Sequence, residues 1–394
     1  MNAGIAMLVL GYVLSQFYRA FLAVLTPTLE RELGVGAEDL AVSSGLWFVA
    51  FALMQIPVGW ALDRFGPART VAVLLAIGGA GGAAVFALAS GPWSIHIAMV
   101  LIGIGCSPVL MGSYYIFARA YPPALFGTLA GVVVGIGSLG NILGAAPLVW
   151  VIKAAGWRET LWGLAVVTLA VAALTRLWVR DPAPLPRDGS VPQGRLRDVL
   201  ALPALWAILP LLSVNYAAVA AIRGLWAAPY LDRVHGADSA MIGWATLAMG
   251  LAMVAGSFLM GPLAKRLGGL KRAVLIVNAG LLLVLAALWL LPGAGLGTVI
   301  VALALMGFFG SSYPILMAHG RAFLPPHLVG RGVTFLNMVS IGGVGLYQFG
   351  SRAVYQAGAD LPPQAAFGHL FLFFLIPLAL GLAIYLTTRE ARDA

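Results

Sequence analysis

The 394-residue chain is 61% hydrophobic and 9% charged, and its mean hydropathy of +0.97 excludes an ordinary soluble protein. The net charge of +9 calls for no nucleic acid, because the basic residues collect at the ends of apolar runs, where membrane topology and anionic lipid account for them. A single cysteine, Cys106, excludes a disulfide framework and a multi-cysteine metal site.

Twelve apolar segments, each able to cross a bilayer core of about 30 Å, are predicted near 4–27, 41–62, 70–89, 95–118, 127–151, 160–178, 203–228, 241–263, 273–292, 298–320, 332–354 and 366–387. The expected class is an all-α polytopic membrane protein. The first segment lacks a basic leader and reads as a full span rather than a cleavable signal. It carries Arg19 in FYRAFLAVLTP, and Tyr12, Ser15, Gln16 and Arg19 share a face at three- and four-residue steps. The loop after the second span reads GWALDRFGPAR, residues 59–69. Cys106 falls inside the fourth span as a small packing residue, and Tyr114, Tyr115, Ser138 and Asn141 are polar positions of the fourth and fifth spans. The fifth span contains GVVVGIGSLGNILGAAP, residues 131–147. After the sixth comes RDPAPLPRDGSVPQGRLRD, residues 180–198, rich in Pro, Gly and charge, which reads as a linker. The seventh span, NYAAVAAIRGLWAAPYL, places Tyr216, Arg223 and Trp226 on one face; the eighth carries Met249 and Met253; the eleventh offers Thr334, Asn337 and Gln348 along a stripe.

With the N-terminus inside, 16 of the arginines and lysines fall on the cytoplasmic side and 5 on the other; Arg19 and Arg223, within spans, complete the 23. Both termini are therefore expected in the cytoplasm. Internal repetition sets the architecture. LERELG at 29–34 returns as LDRVHG at 231–236, and GWALDRFGPAR at 59–69 returns as GPLAKRLGGLK at 261–271, both displaced by 202 positions. PPALFG at 122–127 returns as PPHLVG at 325–330, displaced by 203. The expected organisation is a six-helix bundle over 1–179, a cytoplasmic linker over 180–200 and a second six-helix bundle over 201–394, a parallel duplication of the kind that holds substrate near the membrane midplane.

Gly59, Asp63, Arg64, Gly66 and Arg69 together resemble the signature loop of the major facilitator superfamily (MFS). The second copy keeps Gly261, Arg266, Gly268 and Lys271 but has Lys265 in place of Asp63, and the fifth span resembles that superfamily's glycine-rich fifth helix. The resemblance covers the whole chain and implies two pseudo-symmetric bundles that rock in alternating access, with Asp63 as a gating contact. The bland reading of Gly131, Gly135 and Gly140 is close helix packing. Many proton-coupled members carry an arginine four residues before a Gly-x-Gly of the fourth helix; here Gly103 to Gly105 form that motif and Met99 holds the place.

All 14 acidic residues fall in predicted loops, tails or span margins, so Arg19 and Arg223 have no obvious carboxylate partner within the membrane. An unpaired arginine at a helix centre costs roughly 2.5 to 3.5 kcal/mol on insertion scales. Either each guanidinium snorkels to the interface or binds backbone carbonyls, or a carboxylate, phosphate or sulfonate cargo completes the charge. The resemblance supports the second, since several exchangers of that superfamily hold organic phosphates between arginines of the first and seventh helices. The expected function is a secondary or facilitative carrier of a small organic anion, with Arg19 and Arg223 as the clamp and Tyr12, Gln16, Tyr114, Asn141, Tyr216, Trp226, Asn337 and Gln348 around it. Each of those neighbours is also explained as an interhelical hydrogen bond or packing aromatic. His96, His235, His319, His327 and His369 lie near span ends or in loops, so a dedicated carboxylate proton relay is not expected, and exchange, facilitated diffusion and symport with a proton on the substrate stay open. Two alternatives belong to other classes. Met249 and Met253 would suit Cu(I), as in copper importers of that superfamily, and an exporter of hydrophobic cations would have to tolerate two cavity arginines. Nothing suggests an enzyme or a cofactor; the expected setting is a monomer in contact with lipid in a bacterial inner membrane.

Overall fold

The computed structural model describes residues 3–35, 37–144, 146–183, 195–358 and 360–390. Twelve helices among them are long and apolar enough to span a bilayer: α1 Ala3–Leu22, α2 Val42–Phe65, α3 Pro67–Ala87, α4 Pro92–Ala120, α5 Leu125–Leu143, α6 Trp157–Trp178, α7 Pro203–His235, α8 Met241–Arg266, α9 Leu270–Leu290, α10 Leu296–Arg321, α11 Pro326–Ala357 and α12 Pro363–Tyr385. The all-α class and the twelve spans expected from hydropathy are both present. In hydrocarbon, backbone groups must be paired within the segment itself, and a helix meets that condition without a partner. Most of the expected linker, residues 184–194, lies outside the described residues.

Several helices are longer than their apolar stretch. The helix of α1 runs on to Leu33, that of α2 starts at Ala37, and α7 continues through Asp232 and Arg233 to His235. Other helices are interrupted. A π-helical turn occupies Leu75–Ala80 of α3 and a second occupies Ile222–Trp226 of α7. The regular helix of α4 stops at Cys106 and resumes at Val109, across Pro108; α10 is broken at Gly310–Ser312. Those two breaks stand 203 positions apart, the spacing of the sequence repeat.

The chain packs as two compact units. One comprises Met1–Pro122, Ile136–Val199 and Pro325–Met338; the other comprises Pro123–Gly135, Leu200–Leu324 and Val339–Ala394. Within the first, α3 and α4 approach so closely that a Cβ on Gly78 would lie 2.6 Å from the Gly105 nitrogen, and Gly140 of α5 meets the backbone of Val13 and Phe17 of α1. Such backbone contact replaces the hydrophobic drive that lipid cannot supply. Phe17, Tyr18, Phe21, Phe86 and Trp157 form a continuous aromatic cluster in this unit, and Tyr18 Oη hydrogen-bonds Thr168 Oγ1 at 2.8 Å. Within the second, Gly131 and Gly135 meet Ser257 and Phe258 of α8, while Tyr230 packs on Phe367 and Phe371 of α12. A fully buried amide and hydroxyl trio ties α7, α9 and α10: Asn215 Nδ2 donates to Asn278 Oδ1 at 2.6 Å and to Ser312 Oγ at 2.8 Å. Large apolar side chains such as Leu53, Ile77, Trp93, Trp150 and Leu346 point outward, as residues facing lipid do. Cys106 is buried and unbridged.

Candidate functional site

The loop after α2 turns at Gly66, whose φ of 81° lies in the left-handed region, and Gly268 in the second copy does the same at 77°. A side chain at either position would be strained, so the turn dictates glycine there. At the end of α2, Asp63 Oδ2 accepts a hydrogen bond from Arg331 Nη1 at 3.0 Å in an ion pair that is mostly covered, with side-chain exposures of 11% and 20%. Arg331 stands in the first turns of α11, and a Cβ on Gly330 would strike the Asp63 carboxylate. The backbone N–H groups of Gly330 and Arg331 also bond to it, so Asp63 serves as both counterion and cap. Gly59, one turn earlier, lies against Thr334 and the Arg331 backbone. Arg64 covers the rings of Trp60 and Phe65, and Arg69 also lies over Phe65.

Two further carboxylates hold these loops, and sequence inspection did not single them out. Asp181, just past α6, accepts from the Ala68 N–H at 2.7 Å, at the start of α3, and occupies the space that a Gly66 side chain would need. Partial burial raises the Asp181 pKa above its ordinary value, against the Ala68 N–H and Arg176, which lower it. In the second copy Glu390, just past α12, accepts from the Lys271 N–H at 3.1 Å at the start of α9 and faces Gly269. Lys271 Nζ in turn donates to the Leu386 carbonyl at 2.9 Å and to that of Thr388. The available signal was an acid shortly after the last helix of each repeat.

Arg19, in α1, is in contact with aromatic rings instead of a carboxylate. Its Cζ lies 4.8 Å from the Trp47 ring centroid and 5.1 Å from that of Phe51, and no ion pair of Arg19 occurs among the described residues. Its Nε is buried without a hydrogen-bond partner. Gln16 Nε2 donates to Tyr12 Oη at 2.9 Å, leaving Gln16 Oε1 buried and unfilled. Tyr114 and Asn337 are fully buried, and Asn141 is half-buried; all five belong to the same compact unit as Arg19.

In the other unit Arg223 sits in the π-helical turn of α7, a type of irregularity frequent at functional sites. Its guanidinium lies beside Gly250 of α8, where an added Cβ would approach Nη2 to 3.1 Å, and it too forms no ion pair among the described residues. Tyr216 faces the Tyr313 ring at 6.3 Å. Trp226 donates its Nε1–H to Ser351 Oγ at 2.9 Å and packs on Tyr355 and Phe367; Gln348 is half-buried nearby in sequence on α11. Met249 and Met253 both pack against Gly307 of α10. No group of three or more His, Cys, Asp or Glu suited to a metal ion occurs among the described residues.

Comparison with known proteins adds family and fold. Residues 8–225 match the family model described as Major Facilitator Superfamily. A probable sulfoacetate transporter of Cupriavidus necator is 29% identical over 44% of this chain and 40% of its own length. A 4-hydroxybenzoate transporter of Acinetobacter baylyi is 28% identical over 39% of this chain and 34% of its own length. The chain thus matches well under half of each of these relatives. A solved proton:xylose symporter superposes with a TM-score of 0.78 at 14% identity, covering 99% of this chain and 96% of that one.

Proposed function

The chain belongs to the Major Facilitator Superfamily, and from that premise we propose that it carries a small organic anion, a carboxylate, phosphate or sulfonate, across the membrane by rocker-switch alternating access. The family and the relatives are transporters, not enzymes, and twelve apolar helices with bacterial relatives make it a multi-pass protein of the inner membrane. In this reading both termini are cytoplasmic, 1–179 and 201–394 are the moving bundles, and the protein works as a monomer. Arg19 and Arg223 clamp the anionic group, Tyr12, Gln16, Tyr114, Asn141, Tyr216, Trp226, Asn337 and Gln348 shape the rest, and the 59–69 loop steadies one gate.

The observation that carries the reading is the state of Arg19. A guanidinium within a span, with a buried Nε and no acceptor among the described residues, is stabilised by an oxoanion more than by any neutral cargo. Relatives named as a probable sulfoacetate transporter and a 4-hydroxybenzoate transporter support an anion. The test is a thermal-shift panel of carboxylates, organic phosphates, sulfonates and metal ions on purified protein, because a ligand of the folded state raises its melting point. Anions that stabilise the wild type but not Arg19→Gln or Arg223→Gln would support the clamp; equal stabilisation of all three would end it.

A further inference from the structure

The Trp47 and Phe51 rings, one helical turn apart on α2, stack on each other at 5.0 Å with 23° between their planes, and the Arg19 guanidinium lies over both. A guanidinium lying flat on a ring engages its face and leaves its N–H edge open. Arg19 Nε belongs to that edge and is buried without a partner. Trp47 is 1% exposed, and its Nε1–H is likewise buried without a hydrogen-bond partner, although a buried indole N–H usually finds one. Trp47 is also fixed in place: a Cβ on Gly103 of α4 would come within 2.6 Å of the Trp47 carbonyl oxygen and 3.2 Å of its Cα.

We propose that Trp47 is a binding residue of the Arg19 site: the Trp47 and Phe51 stack holds the guanidinium by its face, and the Trp47 indole N–H joins Arg19 Nε–H as a second donor to one oxoanion of the carboxylate or sulfonate class. This deepens the organic-anion reading and rests on it. An aspartate beside Arg19 would neutralise the charge and occupy its donors. Aromatic rings stabilise the charge while offering no acceptor oxygen, which leaves the Arg19 Nε–H and the Trp47 Nε1–H available to a cargo. Both orphaned groups are donors with no acceptor capacity. An ionised oxoanion accepts from both in charge-assisted bonds and balances the guanidinium, a neutral hydroxyl accepts more weakly and balances no charge, and an ammonium group accepts from neither.

The stack and the second donor are separable by experiment. In protein labelled with 15N-arginine, the Arg19 Nε–H resonance is identified by its loss in Arg19→Gln. Without ligand, ring currents hold it upfield; Trp47→Leu returns it toward the bulk position, and Trp47→Phe leaves it upfield. Sulfoacetate and 4-hydroxybenzoate are then titrated by calorimetry. Trp47→Phe, which keeps a ring and removes the N–H, weakens binding of the probe that the wild type binds by about tenfold. Trp47→Leu weakens it further. Wild-type affinity in Trp47→Phe, or an Arg19 Nε–H signal indifferent to Trp47→Leu, overturns the proposal. If neither probe binds the wild type, the organic-anion reading falls together with the donor role of Trp47, while the ligand-free signal in Trp47→Leu still decides the stack.

Discussion

A hydroxyl among apolar helices either finds a partner or lowers stability, and Tyr18 and Thr168, both fully buried, answer each other across α1 and α6. Tyr18→Phe is expected to cost about 0.6 to 1.5 kcal/mol. Removing Thr168 as well, as Thr168→Val, should add less than its single effect, which thermal melts of the two singles and the double would show. The Asp63–Arg331 pair is a stronger case, because a largely covered ion pair leaves an uncompensated charge when one member is lost. Asp63→Asn and Arg331→Gln should each reduce stability and transport, with a double-mutant coupling of about 1 to 3 kcal/mol; additive losses would show that the contact is incidental. Asp63 was legible because it lies in a loop with a recognisable pattern. Trp47 was not, because its significance depends on Arg19 reaching it through tertiary packing, and the sequence offered only two aromatic residues one turn apart.

Helices were easier to find than to delimit. Hydropathy registers the width of the bilayer, whereas the hydrogen-bond ladder of a helix does not stop at the hydrocarbon edge. The seventh segment, expected at 203–228, therefore runs to His235, and the eleventh, expected at 332–354, begins at Pro326. Gly140 was read as a packing residue, and its place against the Val13 backbone agrees; Gly140→Ala should overpack the α1–α5 contact at a cost of about 1 to 3 kcal/mol, read as a lower melting point. The cap on α3 yields a pH prediction. Asp181→Ala removes the acceptor of the Ala68 N–H and should cost about 1 kcal/mol, whereas Asp181→Asn keeps a carbonyl oxygen there. Because burial raises the Asp181 pKa in the folded state, the folded protein holds that proton more tightly than the unfolded chain does. The contribution of this group to stability is therefore greatest at acid pH, and it declines as pH climbs from about 3.9 through the folded value. Asp181→Asn does not titrate, so melts between pH 4 and 7 should show this variant gaining on the wild type as pH rises.

At the scale of the whole chain the duplication was the most legible feature, and it reappears in details that no motif search targets. The breaks of α4 and α10 correspond, and an acid beyond the last helix of each repeat caps the third, Asp181 on Ala68 and Glu390 on Lys271. The repeats differ where charge differs: Asp63 meets a cation and a helix start, while the equivalent Lys265 brings no negative charge. This bears on energetics. The acidic residues inside the spans are Asp63, Glu159 and Asp232, each within three residues of a span end, so the middle of the bilayer holds no carboxylate to take up and release a proton. If a sulfonate proves to be the cargo, proteoliposomes loaded with it unlabelled should exchange it against the labelled form with equal pH on both sides, the rate changing by less than about twofold between pH 6 and 8. A sulfonate stays ionised throughout that range, which removes titration of the cargo as a source of pH dependence. A rate that collapses across the interval would instead assign an obligatory proton to the protein, and Asp63, the acid most firmly embedded between helices, would be the first to replace with asparagine.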